Sequence, residues 1–375
     1  MVSLLLSLGA VGMLGVSVLC PCLAWTVYAW QRRHLRKQAR PDQRESSIPS
    51  RIDIVIPAFN EAVSIGSTLA AVHASVKSLR AHFGDSAPET FVRVAADGCT
   101  DETGNIARRY PPVTVLESQV NKSKWVTLTS ILATSTADWI IFVDAGALWP
   151  ETLLTDIVKR IGEEPRAFAV APAYRPSRGG WFTRALWRLE TSLKTAETMC
   201  GGPISVHGAT VAYKTSAAQE ALIMLGDRPW LNDDVVLPLV LRSLLPDGRI
   251  LYPVGEISDV GATHDRLDIG RRRRMLLGNI QWVRFLLAGV FERNPVAGLL
   301  ASRRLFRVLW AYWIAFVLLG LALAFRSAVA PVVALSAAAW VVSGHVRQIG
   351  GAALVSLLTP LLILRSNGPL QAVWE

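Results

Sequence analysis

A chain of 375 residues is longer than a typical single domain, so we expect one sizeable folded domain with additional segments. Hydrophobic residues make up 51% and charged residues 18%, which is too apolar for an ordinary soluble protein, and the apolar residues concentrate at the two ends. The net charge of +10 does not indicate nucleic-acid binding, because the sequence contains no zinc finger, helix-turn-helix or RNA-recognition motif.

The first apolar run covers residues 3–30 without a charged side chain, long enough to cross a bilayer core of about 30 Å as a helix. No basic residue precedes the run, which predicts a retained anchor at 1–30 rather than a cleaved signal peptide. The basic cluster that follows places the next segment in the cytoplasm and the chain beside anionic lipid, so the membrane is an expected partner. This cluster lies in a basic and polar linker, 31–50, and consists of Arg32, Arg33, Arg36, Lys37 and Arg40.

Strand-like and helix-like patterns alternate after the linker. Such alternation predicts an α/β domain at 51–270, a Rossmann-like, mainly parallel sheet with helices on both faces. Ligands of such sheets bind beyond the carboxyl ends of the strands, where Asp97 and Asp144 lie. The predicted strands are Ile52–Ile56, Phe91–Ala95, Val113–Leu116 and Trp139–Val143, with an amphipathic helix at Glu61–Leu79.

The C-terminal part becomes apolar again. Residues 271–300 include an amphipathic stretch, Met275–Phe291, which is typical of a helix that lies in a membrane interface. Residues 301–375 contain the apolar runs Val308–Phe325, Ala328–Val342 and Ile349–Leu364, which predict two or three transmembrane helices. The chain is therefore expected to be a multi-pass integral membrane protein, with its folded domain on the cytoplasmic face of a bacterial inner membrane.

Several short motifs occur in an order that is more specific than any one of them. They resemble the motifs of the membrane-bound family 2 inverting glycosyltransferases, and this resemblance implies a GT-A fold. The motifs are Ile54-Val55-Ile56-Pro57-Ala58-Phe59-Asn60-Glu61, Ala96-Asp97-Gly98-Cys99-Thr100-Asp101-Glu102-Thr103, Asn121-Lys122-Ser123-Lys124, Asp144-Ala145-Gly146, Asp233-Asp234, and Arg271 through Gly278-Asn279-Ile280-Gln281.

The resemblance implies a nucleotide-sugar donor, expected to be a UDP-sugar. Asp97 can accept a hydrogen bond from the base while Gly98 allows a close approach of the backbone, although Asp-Gly alone is also an ordinary turn. Lys124 would neutralise phosphate charge, or would be an exposed helix lysine. The expected donor-binding residues are Pro57, Asn60, Glu61, Asp97, Gly98, Lys124 and Asp144.

The expected cofactor is a divalent cation, Mg²⁺ or Mn²⁺, with Asp144 as its ligand. Most family members have Asp-x-Asp at this place, whereas this chain has Gly146 instead of the second acid. Either Asp144 holds the metal with phosphates and water, or the site has lost activity. The stretch from Trp139 to Gly146, continuing to Leu153, resembles the ceramide glucosyltransferases, which carry Asp-Ser-Gly here, and this implies a lipid acceptor.

Asp234 corresponds to the family's general base and Asp233 to its supporting acid, although both also suit the start of a helix. In the block that begins at Arg271, Arg274 matches the family's arginine and would stabilise the departing diphosphate. Arg271 and Gln281 are assigned to the same acceptor and diphosphate region. Met275 replaces the tryptophan of processive synthases, which disfavours a polymerase. His207 and Cys200 are isolated, and we assign them no role.

The sequence as a whole predicts a metal-assisted inverting glycosyltransferase, bound to the membrane, that transfers a sugar to a lipid, lipid-linked or saccharide acceptor. Two alternatives stay open at this point. One is a processive polysaccharide synthase, and the other is a catalytically impaired, transferase-like membrane subunit.

Overall fold

The computed structural model describes residues 2–35, 48–178, 180–260, 269–325, 331–333, 336, 354 and 356–358. The chain forms two units, each treated by itself below. One contains the described residues of 31–263, and the other those of 1–30 and 264–370.

The first unit is built on a mainly parallel sheet, as the sequence predicts. Its seven strands have the order β3-β2-β1-β4-β8-β6-β9, in which only β8 runs antiparallel to its neighbours among the described strands. A smaller sheet has the order β5-β10-β7. The strands are β1 (Arg51–Ala58), β2 (Glu89–Asp97), β3 (Val113–Ser118), β4 (Trp139–Val143), β5 (Ala147–Leu148), β6 (Ala167–Val170), β7 (Ala173–Tyr174), β8 (Thr210–Lys214), β9 (Arg249–Leu251) and β10 (Glu256–Asp259).

Helices connect most of the strands of this sheet and form the second unit. Short 3₁₀ turns at Gly84–Ser86 and Thr198–Cys200 and a π-helical turn at Gly15–Leu19 complete the regular structure. The helices are α1 (Val2–Leu14), α2 (Cys20–Leu35), α3 (Ile65–Phe83), α4 (Thr103–Arg108), α5 (Lys124–Thr134), α6 (Leu153–Glu163), α7 (Trp181–Glu197), α8 (Thr215–Leu225), α9 (Asp233–Leu244), α10 (Ile269–Phe285), α11 (Leu287–Arg293), α12 (Pro295–Ser302) and α13 (Leu305–Ala324).

Both faces of β1 are covered, which explains its nearly continuous β-branched sequence. Ile52, Ile54 and Ile56 point to one face and lie in a core that α3 and α6 complete. Asp53 points to the other face, where it accepts a hydrogen bond of 2.7 Å from Ser135, just after α5. The charge of the buried Asp53 carboxylate is balanced by Arg93 at 3.3 Å, as a buried charge requires.

In the second unit, α1 packs against α13 through small residues. A Cβ atom at Gly9 would lie 2.6 Å from Val317 Cγ2, and one at Gly12 would lie 2.5 Å from Trp313 Nε1. The apolar residues of the N-terminal run are thus used, at least in part, for contact between helices.

The prediction of a multi-pass integral membrane protein is wrong for this structure. Among the residues that the structure describes, no helix is both long enough and apolar enough to cross a membrane. The N-terminal run is divided into α1 with 13 residues, the π-helical turn, and α2 with 16 residues that end in a polar segment.

The structure does not test the other segments that the sequence predicts, namely the linker, the C-terminal apolar runs and the interfacial segment. Residues 36–47 of the linker, and most of the runs Ala328–Val342 and Ile349–Leu364, lie outside the described residues. Helices α10, α11 and α12 occupy the segment 271–300, and its interfacial role stays a prediction.

We predict that Leu69→Ala lowers the free energy of unfolding by about 2–5 kcal/mol, because truncation of a buried leucine leaves a cavity that the sheet and helices do not fill. Leu69 lies on α3 and is fully buried. Urea unfolding of the full chain, followed by circular dichroism, measures the effect. Val63→Ala is the control, since Val63 is 94% exposed, and equal losses in the two variants would contradict the prediction.

Candidate active site

The carboxyl ends of β1, β2 and β4 meet at one edge of the sheet. Ala58 at the end of β1 pairs with Ala96 of β2, and Val55 pairs with Phe142 of β4. This register brings the loops after β1 and β2 to the same edge as Asp144, which directly follows β4. The structure therefore places these residues at the edge of the sheet beyond which such sheets bind their ligands.

The loop after β1 is bound to the loop after β2. Asn60 has a φ of 55°, a left-handed conformation that asparagine tolerates, and its side-chain oxygen accepts the Thr100 N–H at 2.8 Å. The Glu61 N–H donates to Thr103 Oγ1 at 2.8 Å, and the Glu61 carboxylate accepts a hydrogen bond from the Ser64 hydroxyl. Asn60 and Glu61 thus shape the rim of the crevice, while Pro57 is buried within β1.

Asp101 strengthens this connection between the loops. Its carboxylate accepts the N–H of Ala62 and the N–H of Thr103, each at 3.0 Å, together with the Thr103 hydroxyl. Burial favours the neutral acid, but these hydrogen bonds outweigh it and lower the pKa of Asp101.

Asp97 and Gly98 hold the loop that precedes α5. The buried Asp97 carboxylate accepts the backbone N–H of Lys122 and of Ser123 at 3.0 Å. Gly98 has a φ of 70°, and a Cβ atom there would lie 2.4 Å from Asn121 N, so only glycine permits this approach. The pair therefore has a clear structural task, and the contact of Asp97 with a nucleotide base stays a prediction.

Lys124 begins α5 and connects two of the predicted acidic residues. Its Nζ lies 2.7 Å from Asp144 Oδ1 and 3.2 Å from Asp233 Oδ2. Burial alone would lower the pKa of Lys124, but the two carboxylates outweigh it and raise the pKa. Lys124 is therefore not the solvated helix lysine that the sequence left as an alternative.

Asp233 and Asp234 occupy the first turn of α9, where the helix dipole favours negative charge. The N-cap position belongs to Asn232, so neither aspartate is the capping residue itself. The buried Tyr213 of β8, which the sequence did not indicate, lies near both acids. Burial, and then the negative charges of Asp233 and Asp234, raise the pKa of Tyr213.

A short loop, residues 206–209, links Asp234 to Asp144. The Val206 N–H donates to the Asp234 carbonyl at 3.0 Å, and the Asp144 N–H donates to the Ala209 carbonyl at 2.9 Å. A Cβ atom at Gly208 would lie 3.6 Å from Asp234 Cβ and 3.8 Å from Asp144 Oδ2. Asp234, the predicted base, and Asp144, the predicted metal ligand, thus both lie close to Gly208.

Gly146, which replaces the second acid of the common motif, has a φ of 97°. Its N–H donates to Thr68 Oγ1 at 2.8 Å, and its carbonyl accepts the Val260 N–H at 3.0 Å. An aspartate would be strained in this conformation, so the backbone itself accounts for the glycine. Within the described part of the chain, no group of three or more His, Cys, Asp or Glu side chains is placed to hold a metal ion.

Three of the predicted site residues, Arg271, Arg274 and Gln281, lie in the unit that contains residues 264–370. Arg274 and Gln281 are on α10, where Gln281 is buried, and the side chain of Arg271 lies outside the described residues. Their assignment to the diphosphate and acceptor region stays a prediction.

The sequence did not predict an aromatic cluster that lies beside Gly208. The rings of Tyr174 and His207 are stacked, with centroids 3.8 Å apart and an interplanar angle of 5°. Trp187 meets both rings edge-on, at 4.8 Å from Tyr174 and 5.2 Å from His207. The three residues are far apart in sequence, so no spacing pattern could have revealed them.

We predict that Lys124→Met lowers the free energy of unfolding by about 1–3 kcal/mol near pH 7, since hydrogen bonds to two carboxylates are lost. The raised pKa of Lys124 means that its contribution is complete below its unfolded pKa of about 10.4 and is lost as the pH rises through the folded value. Urea unfolding across pH measures the difference.

Lys122→Met is the matched control, because Lys122 lies two residues away and is exposed. Equal losses in the two variants at pH 7 would contradict the charge-pair argument.

Part of the chain matches a known protein family. The profile described as "Glycosyl transferase family 2" matches residues 53–219, which include β1 to β4 and the loop with Gly208. No curated protein matches the chain.

The solved structures that are similar to this chain include the following two. The mannosyltransferase PcManGT from Pyrobaculum calidifontis, in complex with GDP-Man and Mn²⁺, has a TM-score of 0.64 at 20% identity, covering 98% of this chain and 100% of that chain. Glucosyl-3-phosphoglycerate synthase from Mycobacterium tuberculosis, in complex with Mn²⁺, UDP-glucose and phosphoglyceric acid, has a TM-score of 0.42 at 18% identity, covering 68% and 85%. The first match shows a shared fold. The protein is a glycosyltransferase, and its residues 53–219 match the model of the family 2 glycosyltransferases.

Proposed function

We propose that the protein transfers a sugar, with inversion, from a nucleoside-diphosphate sugar to an acceptor hydroxyl, with Asp234 as general base. The observation that supports this most is the cluster of Lys124, Asp144, Asp233 and Asp234 around Gly208, at the carboxyl edge of the parallel sheet. A UDP-sugar is the proposed donor and a lipid or saccharide the proposed acceptor. GDP-mannose is a second donor to test, because the mannosyltransferase of similar fold was solved with GDP-Man.

A divalent cation, Mg²⁺ or Mn²⁺, is the proposed cofactor, and the residues present fit it in one way. Mg²⁺ commonly binds proteins through one or two carboxylates, and substrate phosphates and water complete its shell. Asp144 suits that arrangement, since its side chain is 40% exposed although Lys124 contacts one of its oxygens. When bound, the cation would stabilise the negative charge of the departing diphosphate.

Lys124 would add its own positive charge on the same side of the site. The lysine is held by two carboxylates, which fix its position before any donor arrives. A charge that is already oriented stabilises a developing anion without reorganisation during the reaction. Lys124 is therefore the proposed partner of the diphosphate.

Asp234 is the proposed base because the motif resemblance assigns this role to the second acid of the pair, while Asp233 contacts Lys124. The Asp234 carboxylate takes the proton of the acceptor hydroxyl while that oxygen forms a bond to the anomeric carbon. The bond between the anomeric carbon and the diphosphate oxygen breaks, and the nucleoside diphosphate leaves with its electron pair. The presence of Lys124, Asp144 and Asp234 in one cluster supports catalysis over the alternative of an impaired subunit.

We predict that Asp234→Asn lowers kcat by about 10²–10⁴-fold, because asparagine keeps the shape but removes the basicity. The affinity for the donor should stay nearly unchanged, since the base is needed in the transition state. Nucleotide release from UDP-glucose and GDP-mannose gives the turnover, and calorimetry gives the affinity. Asp227→Asn is the control for loss of an exposed carboxylate nearby, and near-normal turnover in Asp234→Asn would place the base elsewhere.

We also predict that Mn²⁺ strengthens donor binding by about tenfold or more in the wild-type chain, and that Asp144→Asn abolishes this gain. Calorimetric titration of each donor with Mn²⁺ and with a chelator measures it. Equal donor affinity in the wild-type chain with and without metal would remove the cation from the proposal. A metal effect that survives in Asp144→Asn would assign the cation to another ligand.

A further inference from the structure

The aromatic cluster of Tyr174, Trp187 and His207 lies beside the proposed base but takes no part in the chemistry described above. Each of the three rings is half-buried, so the cluster is partly open to solvent. The rings come from β7, α7 and the 206–209 loop. None comes from the loops after β1 and β2 or before α5, which are the loops proposed to hold the donor.

Backbone contacts tie this cluster to the reacting groups. His207 directly precedes Gly208, where a Cβ atom would lie 3.6 Å from Asp234 Cβ. The Ala209 N–H donates to His207 Nδ1 at 3.2 Å, so the neutral imidazole carries its proton on Nε2. The Tyr174 stack and this hydrogen bond together fix the orientation of the ring.

Polar groups border the aromatic rings on one side. The Asp259 carboxylate accepts hydrogen bonds from the Tyr174 hydroxyl, from the Ser177 hydroxyl at 2.6 Å and from the Ser177 N–H at 3.2 Å. Ionised carboxylates and phenol hydroxyls are groups to which sugar hydroxyls commonly form hydrogen bonds. The surface therefore combines aromatic rings with an acceptor that is held in place.

This combination matches the chemistry of a saccharide. A sugar ring has an apolar C–H face that packs on an aromatic ring, and hydroxyl groups at its edge that donate to carboxylates. An alkyl chain would pack on the rings but has no hydroxyl groups along its length for the polar groups beside them. We propose that Tyr174, Trp187 and His207 form the acceptor subsite and that the acceptor presents a saccharide ring to it. This proposal rests on the proposed transfer reaction and names its acceptor class.

Saturation-transfer NMR on the wild-type chain, with UDP and Mn²⁺ present, tests the proposal first. The probes are methyl β-D-glucopyranoside, methyl α-D-mannopyranoside and methyl β-D-galactopyranoside, with octan-1-ol as the apolar comparison. We expect saturable binding of at least one glycoside and none of octan-1-ol. Binding of octan-1-ol without any glycoside, or of no probe at all, would overturn the proposal, and this step needs no variant.

Variants then locate the subsite. Trp187→Leu should weaken glycoside binding by about tenfold because it removes the aromatic surface, and Trp187→Phe should retain most of it. Leu186→Ala is the matched control on the same helix, since Leu186 is 50% exposed. If Trp187→Leu binds the glycoside as tightly as the wild-type chain does, the assignment is overturned. If Trp187→Leu does not fold, Tyr174→Phe replaces it, because it removes the hydroxyl beside Asp259.

Nucleotide release from the two donors separates this proposal from the transfer reaction itself. Glycoside binding without nucleotide release would contradict the proposed function but keep a saccharide subsite. Nucleotide release without glycoside binding would keep the transfer reaction and remove the subsite.

Discussion

The Lys124 ammonium group lies between Asp144 and Asp233, which come from distant segments of the sequence. Asp144 follows a central strand and Asp233 begins a helix, so each needs its own segment to be in place before Lys124 can contact both. Without a cation between them, the two carboxylates would repel each other. The geometry of the site therefore depends on this one ammonium group and on what holds it.

The position of Lys124 is fixed by the loop that precedes α5. Asp97 accepts two backbone N–H groups of that loop, and Gly98 allows it to pass close to the end of β2. The second strand therefore positions the first residue of α5. A motif that resembles a nucleotide-binding signature thus also fixes the charge on which the acidic cluster depends, and a substitution at Asp97 would disturb both.

The part of the fold that the sequence predicts is the part built from long, regular patterns. β1 to β4 are β-branched runs with clear ends, and the chain order places Asp97 and Asp144 at one edge. The two-residue strands β5 and β7 have no periodicity to detect. The membrane prediction was wrong because apolar composition does not show which surfaces a residue will contact, and α1 uses Gly9 and Gly12 to approach α13. For Gly146, the sequence shows a missing ligand, whereas only the backbone shows that its φ of 97° favours glycine.

The 206–209 loop joins two requirements that a transferase has to meet together. One end of the loop is hydrogen-bonded to the Asp234 carbonyl, and the other end accepts the Asp144 N–H. Between them, His207 extends to the aromatic cluster, while Gly208 keeps the space between the acids free of a side chain. Because the loop is hydrogen-bonded at one end to Asp234 and at the other to Asp144, we expect a substitution at His207 to affect the proposed base and the proposed metal ligand as well as the proposed acceptor subsite.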